Sequence, residues 1–183
     1  MDPGLRDTLL LKLGPPLIAI AVVLAVARRR GISSRGDLGL AAPRPTALAT
    51  WLVLWAAWVA VGEGLTGPLG LELPQPWPDY APAVFWLRVL AIGVLGPVAE
   101  ELVMRGLALD RLRRTRLRVT GAVVVCAAAW ALFHVKYGGP TIAMIFADGL
   151  LLGAARVRSG SLLVPCVMHA SGNLFSIWQS THG

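Results

Sequence analysis

Six apolar segments, at residues 9–27, 46–65, 81–101, 119–134, 141–155 and 162–178, constrain this chain more than anything else in it. Hydrocarbon offers a backbone N–H or C=O no partner, so a crossing segment must be a helix or a strand of a closed barrel. The alternation of barrel strands is absent, which leaves helices. A crossing helix needs ~20 residues, with a lower limit near ~17. The fourth and fifth segments fall slightly short, and are expected to be tucked inside the bundle or partly re-entrant. The expected fold class is all-α: a polytopic transmembrane helix bundle of about six spans, in a single integral membrane domain covering residues 1–183.

Charge is scarce and placed at segment ends. Only 15% of the residues are charged, against about 25% in a soluble domain. The formal net charge is +7, but the arginines flank apolar runs and share no aromatic-interleaved polar surface, so no nucleic-acid partner is implied. Residues 28–45 carry five arginines and one acid, residues 106–118 carry Arg111, Arg113, Arg114, Arg116 and Arg118, and Arg156 and Arg158 mark a third basic turn. The alternate loops hold Glu72, Asp79 and Lys136. Basic loops stay in the cytoplasm, so both termini are expected outside. The first segment is not expected to be a signal peptide, because Asp2 and Asp7 offset Arg6 and Lys12 and the block Arg28-Arg29-Arg30 comes after the apolar run.

Inside the apolar segments stand Glu100, Glu101, Arg105, His134, His169 and Asn173. Ionised groups in hydrocarbon cost ~2.5–3.5 kcal/mol each even on lenient scales. Glu100 and His134 each lie seventeen positions from Leu117. An antiparallel hairpin turning there brings both to one height, about 25 Å from the turn at ~1.5 Å per residue. Asn173 lies four beyond His169 and shares its helix face, and Glu101 and Arg105 are likewise four apart.

Such a set suits hydrolysis without a covalent nucleophile. Glu100 can take a proton from water while His134 orients that water. His169 and Asn173 can donate to the oxyanion formed at a carbonyl. Arg105 offsets the doubled charge of Glu100 and Glu101. Two histidines and a glutamate also make a possible zinc set, although the H-E-x-x-H arrangement of zinc proteases is absent. Ser171 lacks a nucleophile-elbow setting, and Asp148 is the sole intramembrane aspartate, so an aspartate pair is not expected.

Three motifs then resemble those of one family. Glu100-Glu101-Leu102-Val103-Met104-Arg105 resembles E-E-x-x-x-R of the CPBP family, the CAAX-processing and bacteriocin-processing intramembrane endopeptidases. Trp130-Ala131-Leu132-Phe133-His134 is similar to its F-x-x-x-H, with tryptophan for phenylalanine, and His169-Ala170-Ser171-Gly172-Asn173 to its H-x-x-x-N. The resemblance covers residues 81–178, the last four segments, and implies a catalytic core there. It implies Glu100 as general base, His134 as its water-orienting partner, and His169 and Asn173 as the oxyanion site, with Glu101 and Arg105 in support. No cofactor is expected, zinc being the alternative. The implied partners are a membrane-anchored polypeptide substrate and the lipid bilayer, in a bacterial cytoplasmic membrane. The chain is short for the prenyl-protein branch; compact relatives that cut near a C-terminal sorting signal suit its size.

Other polar residues have plainer readings. Arg88 and Lys12 are expected to snorkel to an interface, and Glu63 and Asp148 to act as polar glue between helices. Trp51, Trp55 and Trp58 form a packed or lipid-facing stripe. Cys126 and Cys166 read as small core residues. The competing functional class is a non-catalytic membrane protein of the same fold, such as an immunity factor or a peptide-binding chaperone.

Overall fold

The computed structural model describes residues 3–182. Its helices are α1 (Gly4–Arg29), α2 (Pro45–Leu69), α3 (Pro82–Leu112), α4 (Arg118–Leu132), α5 (Gly139–Ser159) and α6 (Leu163–His182), with no strand among the described residues. Proline stands in the first turn of α2, α3 and α5, where its missing N–H would have had no helical partner anyway. Four helices, α1, α2, α3 and α5, are long and apolar enough to cross a membrane. The chain is an integral membrane protein with the polytopic all-α bundle expected of it.

Every helix departs from its expected bounds, and three departures bear on the site. The third was expected to end at residue 101 but continues to Leu112, because its polar residues Arg105 and Asp110 are buried and paired. The fifth reaches full crossing length because its helix takes in Arg156 and Arg158 at its end. The fourth stays short and stops at Leu132, which leaves His134 in the turn that follows.

Loop contacts sort the two ends of the bundle. At one end Leu162 N–H donates to Gly39 O at 2.7 Å, Ser161 Oγ to Ala41 O at 2.6 Å, and Arg114 Nη2 to Asp37 Oδ1 at 2.7 Å. The three arginine-rich loops therefore meet on one face. At the other end Trp77 N–H donates to Ser180 O at 3.0 Å and Glu72 N–H to Thr141 Oγ1 at 3.0 Å, while the Glu72 carboxylate accepts from Gly138 N–H.

The core at the centre is Trp55, Met104, Trp130, Leu152, Ala155, Val164 and Met168. Leu10, Ile18, Val53, Trp86 and Trp178 are exposed around the outside, as lipid-facing side chains of a bundle are. Cys126 and Cys166 are buried and free. Trp58 Nε1 donates to Asp148 Oδ1 at 2.6 Å and Gln179 Nε2 to Glu63 Oε2 at 2.8 Å, so both acids bind α2 to its neighbours. Arg88 does not snorkel. It is buried, donates to Thr8 Oγ1 at 3.1 Å, pairs with Asp7 at 3.4 Å and lies 4.5 Å from the Tyr80 ring centre, joining α1 to α3.

Candidate active site

The site begins with an irregularity in α3. Two π-helical stretches, Ala91–Leu95 and Leu102–Ala108, bracket the α-helical turn Gly96–Glu101 that carries both glutamates. Gly96 N–H bonds back to Ala91 O, and Pro97 has no N–H to give. Ile92 O is thereby deprived of both successors that could have bonded it. Asn173 Nδ2 donates to it at 2.9 Å, bridging α6 to α3. π-helical turns recur at functional sites because they free backbone groups in this way.

A buried chain of polar groups runs from the second π stretch to α6. Arg105 Nη1 donates to Glu101 Oε1 at 2.7 Å, and both side chains have no exposed surface. Arg105 Nη2 donates to Gly149 O of α5 at 3.1 Å. His169 Nδ1 lies 3.1 Å from the same Glu101 Oε1. Oε1 already accepts from the guanidinium and faces His169 as an acceptor too, so Nδ1 is the donor and Nε2 is left for other work. Gly149 is required here. A Cβ on it would sit 2.9 Å from Ala127 Cβ and 3.3 Å from the Trp130 ring, so only glycine lets α4 approach the carbonyl that holds Arg105.

Trp130 joins the remaining pieces. Its Nε1 donates to Glu100 Oε2 at 2.6 Å across the α3–α4 hairpin. Its ring meets His134 edge-on at 5.3 Å and His169 edge-on at 5.1 Å between centres. The Arg105 guanidinium lies 5.0 Å from the centre of the same ring. His134 folds back from the turn so that its Nδ1 is 3.0 Å from Trp130 O. A carbonyl only accepts, so Nδ1 carries the hydrogen and Nε2 is an acceptor when the ring is neutral.

The hairpin turns two residues earlier than the apolar pattern suggested. α3 ends at Leu112 and α4 begins at Arg118, which centres the turn on Thr115. The residue level with Glu100 is then Trp130, one helical turn before His134. Glu100 and His134 each touch the Trp130 indole, the first through its Nε1–H and the second edge-on to the ring. The sequence comparison marks only tryptophan in place of phenylalanine at Trp130; what it does not show is the use of the indole donor, which phenylalanine cannot supply.

Burial divides the six expected residues. Glu101, Arg105 and His169 are buried, whereas Glu100, His134 and Asn173 are half-buried. The half-buried members have a lone pair or an N–H to offer a reactant, and buried His169 keeps its Nε2. Among the described residues no three His, Cys, Asp or Glu side chains lie together as a metal-holding group. Glu101, the acid on His169, is committed to Arg105.

The Rce1-like type II CAAX prenyl endopeptidase model matches residues 82–175. An uncharacterized 24.3 kDa protein of Escherichia coli is 33% identical over 130 residues, covering 65% of this chain and 58% of that protein. The chain thus spans less than two thirds of the length of the curated relative it matches. No solved structure matches it. The matched region takes in α3 to α6 almost whole, with all three motifs and every group gathered around Trp130, and on that footing the chain belongs to the Rce1-like type II CAAX prenyl endopeptidase family.

Proposed function

We propose that this chain is an intramembrane endopeptidase that hydrolyses a peptide bond of a membrane-anchored polypeptide, using water activated by Glu100. The observation that carries the reading is the convergence of Glu100, His134 and His169 on the one indole of Trp130. A water among them gives one hydrogen to the free oxygen of Glu100 and the other to His134 Nε2, which leaves its lone pair for the scissile carbonyl carbon. The C–O bond forms as the proton passes to Glu100. The oxyanion takes a hydrogen bond from Nε2 of a protonated His169 and one from the second N–H of Asn173. Glu100 then returns the proton to the departing amine as the C–N bond breaks.

Glu101 and Arg105 act through His169. The Glu101 carboxylate accepts from His169 Nδ1 and fixes the ring, and Arg105 holds that carboxylate in place. The arginine-rich face is the cytoplasmic one, with both chain ends outside, in a bacterial cytoplasmic membrane. The supporting roles of Glu101 and Arg105 rest on their full burial, which keeps both from direct contact with a reactant.

The test is a chromosomal Glu100→Ala replacement. Membrane-anchored proteins that accumulate uncleaved when the gene is deleted should accumulate equally in the variant, with the variant inserted at normal level. Normal processing in the variant supports a binding protein instead. Cleavage abolished by chelator and restored by zinc would overturn water activation by glutamate alone.

A further inference from the structure

We propose that a cavity at the arginine-rich face is a binding site for a phosphate group, supplied by a phospholipid headgroup or by free phosphate. The inference rests on none of the catalytic assignments. The cavity has a volume of about 170 Å³ and is lined by Gly36, Arg105, Asp110, Arg113, Arg156 and Gly160, among others. That is room for roughly five waters at ~30 Å³ each.

The charges around it do not balance. Arg105 is matched by Glu101 and Gly149 O. Asp110 accepts from Arg113 at 2.7 Å and from Arg114 at 2.9 Å, and Arg114 also reaches Asp37, so two acids meet two bases. Arg156 is the remainder. It is 8% exposed, forms no ion pair among the described residues, and makes one hydrogen bond, from Nη2 to Asp37 O at 3.2 Å. Its buried Nε has no partner there. A guanidinium cannot discard its proton to ease this.

The chain also builds a seat for that guanidinium. Gly39 has φ +74°, and a Cβ on it would lie 2.4 Å from Arg156 Nη2. The positive φ favours glycine, and a side chain there would push the guanidinium away. An unmatched arginine packed against the Gly39 backbone, with Arg113 also lining the cavity, presents planar donors of the kind phosphate oxygens take in pairs. The loops on this face are those that meet the cytoplasmic headgroups in the orientation proposed for the chain.

The experiment titrates the full chain in detergent with phosphatidylglycerol, and separately with inorganic phosphate, reading bound species by native mass spectrometry. One saturable site per chain is expected. Arg156→Gln should weaken it about tenfold, as removal of one charge-assisted hydrogen bond does, and Arg113→Gln, on the exposed rim, should weaken it measurably with helix content unchanged. Displacement of the lipid by inorganic phosphate assigns the free ion as a source; saturable lipid binding that phosphate leaves untouched assigns the headgroup. No saturable binding of either probe overturns the proposal. So does parental affinity in Arg113→Gln, which serves even where Arg156→Gln fails to fold.

Discussion

Trp130 donates its indole N–H to Glu100 at 2.6 Å and so pins the proposed base from the facing helix. Phenylalanine, the residue of the family motif at this position, fills most of the same volume but has no donor. A hydrogen bond to a charged group is worth about 1.5–3 kcal/mol. Trp130→Phe should therefore keep the fold and lower the cleavage rate by roughly tenfold. Trp130→Ala should also lose about 3–5 kcal/mol of stability through the cavity it leaves. Thermal unfolding of the two variants beside their cleavage rates separates these effects.

The Arg105–Glu101 pair is fully buried. Removing one partner of such a pair strands the other's charge and costs about 3–5 kcal/mol. Arg105→Gln should lower the unfolding midpoint sharply. Arg105→Lys should fall between it and the parent, because a lysine cannot serve Glu101 and Gly149 O with separate fork arms. Denaturation of the three chains in the same detergent checks the order.

Asn173 fills a vacancy created by Pro97. Asn173→Ala strands Ile92 O and should cost about 1–3 kcal/mol. Pro97→Ala restores an N–H within reach of that carbonyl. The double variant should thus be more stable than Asn173→Ala alone, while cleavage stays low because the proposed oxyanion donor is gone. A double-mutant cycle on unfolding free energies reads the coupling.

At the arginine-rich face, Asp37 sits below the usual carboxylate value, first because Ser33 N–H bonds it and then because Arg114 does. Its folded pKa is depressed, so the stability it contributes is present above its unfolded value near 3.8 and is lost as pH falls through the folded one. From neutral pH down to about 5 the contact should be indifferent to acid. Asp37→Asn should flatten the acid limb of a stability-against-pH curve below that region and leave its upper part parallel to the parent.

The helical bundle was legible because lipid removes the alternatives, and the six polar residues were legible because hydrocarbon makes them conspicuous. Depth was legible only to within a turn. Moving the hinge from Leu117 to Thr115 shifts the partner of Glu100 by four residues, from His134 to Trp130, and nothing in the apolar pattern marks where a five-residue turn is centred. Asn173 was legible as sharing a helix face with His169, but its bond to Ile92 depends on a π-helical stretch, which has no hydropathy signature. Arg88 looked like an interfacial cation because its partners Asp7 and Thr8 are some eighty positions away in sequence. Long-range pairing of this kind is set by packing and leaves no local trace.

The most direct test of the central claim is single-turnover cleavage by the reconstituted chain, with a membrane-anchored protein that accumulates in the deletion strain as substrate. Glu100→Gln preserves the shape and the acceptor for Trp130 but cannot take a proton. The account predicts a rate at least about 10²-fold below the parent, at matched thermal stability. Cleavage at the parental rate by Glu100→Gln would contradict it.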